Sequence, residues 1–145
     1  MTAPISVLLP SDDSPSARRA AEHVIVLSRQ GLALEVHLLN VQLPVRGSAA
    51  TMIAKADLDD YHREEGMKAL AGSQALLQAA GLTPKLHVGV GVPGEVIVAF
   101  AQHLACRQII MGTRGLGAAG SLVLGSVASH VVRETELPVT LLRAG

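Results

Sequence analysis

The chain has 145 residues, 49% of them apolar, with one Phe, one Tyr and no Trp, so a single domain with one core of Leu, Val, Ile and Ala is expected, a composition suited to helices laid on β-branched strands. Twelve basic and twelve acidic residues cancel to a formal net charge of zero; neither a Lys/Arg cluster nor an aromatic pair on a strand is evident, which argues against nucleic acid as a partner. The N-terminus lacks a basic segment before an apolar one, no apolar run approaches the ~18 residues of a membrane helix, and the lone Cys106 has no internal disulfide partner. A cytoplasmic protein away from membranes is the expectation.

Ile5 to Pro10 is a short apolar run that ends in Ser11, Asp12, Asp13, Ser14 and Pro15, so it reads as a buried strand entering a helix. Ala17, Ala20, Ala21, Val24 and Leu27 recur at helical spacing, and Gly31 is placed to end that helix in a left-handed cap. Leu34 to Val41 reads as the second strand. Residues Gln42 to Asp57, with Pro44, Gly47 and Ser48, have little periodicity and read as a mobile connection, in which Arg46 and Lys55 are most simply solvated.

From Leu58 to Ala80 the spacing is helical, with Tyr61, Met67, Leu70 and Leu77 on one side and Gly81 as the stop. Gly66 and Gly72 inside it would each cost about 1 kcal/mol relative to alanine. Leu86 to Val90 is the third strand, Pro93 to His103 a helix with proline in its first turn, and Gln108 to Met111 the fourth strand. Ser126 to Glu134 is the last helix and Val139 to Leu142 the last strand. Strands alternating with helices in this way predict right-handed crossovers and a mainly parallel sheet, and such uniformly apolar strands predict burial on both faces.

The most informative stretch is Gln108 to Ser126, QIIMGTRGLGAAGSLVLGS. Behind a buried strand stand Gly112, Gly115, Gly117 and Gly120, then Gly125 and Ser126 at a helix start. Glycines admit a ligand close to backbone N–H groups, and the helix start adds unpaired donors and a positive dipole end. Such a site suits an anion, phosphate above all.

The pattern Gly112-x-x-Gly115, nine residues, Gly125-Ser126 resembles the nucleotide-binding signature of the universal stress protein family. Pro10-Ser11-Asp12 after the first strand, LLNV ending the second, Gly91-x-Pro93, and Pro138-Val139 with Leu141-Leu142-Arg143 extend the similarity over nearly the whole chain. The resemblance implies a flavodoxin-like, adenine nucleotide alpha hydrolase-like α/β domain with helices on both faces and strand order 3-2-1-4-5. ATP, ADP or AMP would lie across the carboxyl ends of strands one and four, with Mg²⁺ as a companion ion.

Carried over by position, Pro10, Ser11 and Asp12 would line the adenosine side, Val41 would pack on the base, and Met111 and Gly112 would close the floor. Gly115, Gly125, Ser126 and Val127 would hold the phosphates, with Arg114 nearby as a source of positive charge. Asp13 stands where many members have glycine, and Leu137 where cysteine is frequent. The function implied is a binding module whose nucleotide occupancy regulates a partner interaction under stress. A homodimer through the edge strand 139–142 is implied as well.

The rivals are a slow ATPase, for which Asp12, Asp13 and Arg114 are the only charged candidates, and a dimeric interaction protein with an empty site. Gly89-x-Gly91-x-x-Gly94 and Gly115-x-Gly117-x-x-Gly120 both match the dinucleotide fingerprint, but neither has the acidic residue or the second half-domain that reading needs. No Gly-Lys-Ser/Thr follows any glycine, so a P-loop is excluded. Asp12 and Ser126 also read as helix caps. The six histidines lack metal-ligand spacing, although His37 and His87 would fall on neighbouring strands.

Overall fold

A computed structural model describes residues 3–47, 52–114 and 124–144. In chain order these form β1 (Ile5–Pro10), α1 (Pro15–Arg29), β2 (Leu34–Gln42), α2 (Lys55–Ala79), β3 (Lys85–Val90), α3 (Pro93–His103), β4 (Gln108–Gly112), α4 (Ser126–Glu134) and β5 (Val139–Leu142). The strands make one sheet in the order β3-β2-β1-β4-β5, every pairing parallel.

Alternation along the central strands splits the core. Val7, Leu9, Val36, Leu38 and Ile110 meet Ala20, Ala21 and Val24 of α1 and Leu70 and Leu77 of α2 on one face. Leu8, Leu39, Ile109 and Met111 meet Ile97 and Ala101 of α3 and Ala128 and Val131 of α4 on the other. The small alanines let helices approach a sheet of branched side chains closely, so aromatic bulk is not needed. Burial on both faces holds for β1, β2 and β4, whereas the edge strands β3 and β5 are mostly half-buried.

Several sequence expectations shift by a turn or less. β2 runs on to Gln42, and α2 begins at Lys55, three residues before Leu58. On α2 Leu70 and Leu77 are buried as expected and Met67 packs partly against the core, whereas Tyr61 is exposed and the inward positions beside them are His62, Gly66 and Ser73. The two α2 glycines are contact points. A Cβ on Gly66 would stand 2.6 Å from both γ-carbons of Val88, and one on Gly72 2.7 Å from Arg18 Nη2 and Asp13 Oδ1. Close packing against β3 and α1 therefore explains why a helix tolerates them. Gly31 closes α1 at φ +100°, as expected.

His37 and His87 do stand on adjacent strands, at the end of the sheet where the strands begin. His37 Nδ1 lies 2.9 Å from His87 Nε2, His37 Nε2 is 3.1 Å from Glu35 Oε1, and Lys85 Nζ donates to the same oxygen at 2.7 Å. With His37 Nε2–H given to Glu35, His37 Nδ1 accepts from His87 Nε2–H. His87 also meets Phe100 of α3 edge-on, with ring centroids 5.8 Å apart. Burial above all, then the His37 ring and the Lys85 ammonium, lower the His87 pKa from its ordinary 6.5.

A lowered pKa means that the unfolded chain binds the proton more readily, so stability is intact above pH 6.5 and is lost as pH falls from there through the lowered folded value. The urea midpoint should accordingly drop between pH 7.5 and 5, and the drop should be smaller in His87→Gln. Equal drops in the two proteins would refute this assignment. Cys106, buried and with Glu35 as a lesser influence, has its thiol pushed up to about 11, which makes it an unreactive packing residue.

Candidate functional site

Crossovers from β1 lead outward to β2 and β3 on one side, while β4 and β5 fill the other, so the connections leaving β1 and β4 diverge above the sheet. The crevice this leaves at the carboxyl ends of the strands is where open α/β sheets take ligands. Here it is a cavity of about 460 Å³, within the range of small-molecule sites.

Ten residues singled out in the sequence line it: Pro10, Ser11, Asp12, Val41, Met111, Gly112, Arg114, Gly125, Ser126 and Val127. Gly115, like Gly117 and Gly120, lies outside the described residues. The cavity also takes in Ser14, Asn40, Leu43, Pro93, Ile97 and Thr113, which sequence reasoning did not select.

Each wall has a local cause. At the top of β1, Ser11 N donates to Leu39 O at 2.8 Å, and the Ser11 hydroxyl meets Ser73 of α2 at 3.1 Å in the interior. Asn40 bridges the two strand ends, donating to Ser11 O at 2.8 Å and accepting from Gln42 Nε2 at 2.7 Å. A buried polar residue at the end of an apolar strand was the available signal for Asn40, since such a residue needs partners.

The turn after β1 assigns the caps differently from the sequence reading. Ser14 is the N-cap of α1, its Oγ accepting from Ala17 N at 3.3 Å, while Asp12 Oδ1 accepts from Ser14 N at 3.0 Å and so shapes the turn ahead of the helix. Asp13 sits at φ +65°, a left-handed conformation that Asp tolerates better than most residues. Its carboxylate is engaged by Arg18, at 2.9 Å from Nε and 2.8 Å from Nη2. Asp13 accordingly does not line the cavity, and its charge is balanced on the flank of α1.

At the opposite wall α4 starts without any side-chain cap: Gly125 occupies the N-cap position, and Ser126 is the first helical residue rather than the cap. Gly125, Ser126, Val127 and Ala128 all line the cavity, so the first turn of α4, whose amides have no partner within the helix, borders the cavity as an anion-favouring surface. The two ends of this glycine-rich stretch meet at a closed neck. Thr113 N donates to Leu142 O at 2.9 Å, and Gly125 N donates to Thr113 O at 2.8 Å.

The glycines of the first fingerprint have structural work nearby, and Gly91 among them sits at φ +149°. A Cβ on Gly89 would press on Val96 and Phe100, and one on Gly94 on the His130 ring; they let α3 settle on β3 and α4.

An open parallel sheet of order 3-2-1-4-5 with this crevice defines the Rossmann-like class of α/β proteins. The universal stress protein family model matches residues 6–143, and the chain belongs to that family. Among solved structures, that of protein MJ0577, a universal stress protein of Methanocaldococcus jannaschii, is similar with a TM-score of 0.81 and 29% identity over 96% of this chain and 95% of that one. A universal stress protein in complex with cAMP has a TM-score of 0.72 at 21% identity, covering 99% of this chain and 100% of that one. An Arabidopsis thaliana family protein with AMP bound has a TM-score of 0.70 at 19% identity, covering 97% and 92%.

Proposed function

We propose that this protein binds an adenine nucleotide, ATP or its ADP and AMP relatives, in the crevice above β1 and β4, and that occupancy regulates its interaction with a partner protein. The observation that carries this reading is the uncapped first turn of α4 facing a 460 Å³ cavity whose other side presents the apolar Pro10, Leu39, Val41 and Leu43 beside the polar Ser11, Asp12 and Asn40. One end suits phosphates and the other suits a base. The structural relatives described with cAMP and with AMP bound support the same ligand class.

Val41 and Pro10 would flank the base and Asp12 the ribose. Gly115, Gly125, Ser126 and Val127 would hold phosphate, with Arg114 adding positive charge and Mg²⁺ accompanying a triphosphate. Binding rather than turnover is favoured because the Asp13 carboxylate is already held by Arg18, which leaves fewer charged groups for phosphoryl transfer. Heat-denaturing the purified protein and identifying the released small molecules by mass spectrometry, followed by calorimetric titration with ATP, tests the reading. An adenine nucleotide is expected at close to one per chain; neither carry-over nor measurable ATP binding would overturn it.

The edge strand β5, with Thr140, Leu141 and Leu142 partly exposed, is proposed to pair antiparallel with its copy in a homodimer. Light scattering should return twice the chain mass at tens of micromolar, and Leu141→Pro should lower it.

A further inference from the structure

Ser16, which the sequence reading passed over, makes the contact between α1 and the glycine-rich segment. It lies in the first turn of α1 and is 2% exposed. A serine in a helix commonly turns its hydroxyl back onto its own helix; this one instead reaches across to a residue 98 positions away. Ser16 Oγ donates to Arg114 O at 2.5 Å, and Arg114 N donates to Ser16 Oγ at 3.4 Å, so both polar atoms of one peptide residue meet a single hydroxyl. Ser14 Oγ adds a longer bond to Arg114 O at 3.3 Å.

Arg114 follows Thr113, whose carbonyl accepts from Gly125 N, and Gly125 leads directly into α4. A chain of hydrogen bonds therefore runs from α1 through the neck of the glycine-rich segment to the start of α4. Gly112 makes this possible: a Cβ there would collide with the Ser16 hydroxyl and would stand 2.7 Å from the Ser16 carbonyl carbon. Ser16 itself does not border the cavity.

We propose that Ser16 is a positioning residue for polyphosphate recognition, fixing the neck of the glycine-rich segment against α1 so that the backbone donors in the first turn of α4, from Ser126 on, are held ready for phosphate. The proposal rests on the nucleotide-binding reading above. It assigns Ser16 an effect confined to the phosphate end of the ligand, because the walls proposed for the nucleoside, at Pro10, Asp12 and Val41, are built from β1 and β2 by bonds that Ser16 does not make.

Ser16→Ala removes the hydroxyl while keeping the helix. In calorimetric titrations it should weaken ATP binding about tenfold, 1.4 kcal/mol, and leave adenosine binding within twofold of wild type. Without any nucleotide, the Gly125 amide should exchange hydrogen faster in the variant, while amides of the β1–β2 ladder keep wild-type protection and report an intact fold. ATP affinity within twofold of wild type, equal losses for ATP and adenosine, or unchanged Gly125 exchange would each overturn the proposal and leave the nucleotide reading standing. A wild-type protein that bound neither ligand would overturn the nucleotide reading, and this proposal with it.

Discussion

Gly112→Val should destabilise the protein by about 3 kcal/mol or more, the upper part of the range for overpacked interiors. The position ends β4, directly under the first turn of α1, and the new Cβ would lie 2.8 Å from the Ala17 amide nitrogen as well as against Ser16. Two of its obstacles are backbone atoms, which cannot swing away as a long side chain would, so α1 or the end of β4 must move. For a domain of this size the melting temperature should fall by about 10 °C. A loss below about 1 kcal/mol would mean that α1 slides without resistance, contrary to the contacts described.

Gly125→Val should act mainly on the ligand. Gly125 has φ −64°, open to any residue, so the constraint there is space alone. A Cβ would stand 2.9 Å from Thr113 O and 3.4 Å from Arg114 Cα, and would push away the carbonyl that closes the neck. Branching would also crowd the start of α4 where phosphate is proposed to sit. ATP affinity should fall on the order of a hundredfold, about 2.8 kcal/mol, measured by titration calorimetry at a temperature where the variant is folded. An unchanged affinity would place the nucleotide elsewhere.

What the sequence disclosed follows from the range of the forces involved. Strand and helix positions were legible because periodic apolar residues, cap residues and glycine stops act within a few positions of one another; Ile5–Pro10, Pro93–His103 and Ser126–Glu134 have the bounds read from them. Ten of the proposed site residues converge on one cavity because the glycine spacing and the β1 turn are local patterns that family resemblance transfers well. The roles of individual polar groups were not legible. Whether Ser126 caps α4, whether Asp13 faces the site, and where Ser16 sends its hydroxyl depend on partners brought near only by the completed sheet. On α2 only Tyr61 was misplaced, for a related reason: its ring suggested the packed face that Met67, Leu70 and Leu77 do occupy, but His62 takes the inward position and Tyr61 is exposed.

The closed neck at Thr113 and Gly125 separates two kinds of sequence change. Substitutions in the strand, the neck or α4 are felt by the core, whereas residues added between Arg114 and Leu124 fall in an interval whose two ends are held together by the Gly125–Thr113 bond. Lengthening a connection between joined ends costs only a slowly growing closure entropy, about 0.6 kcal/mol for each doubling. A short peptide spliced into that interval should therefore leave the sheet in register and the scaffold folding as before.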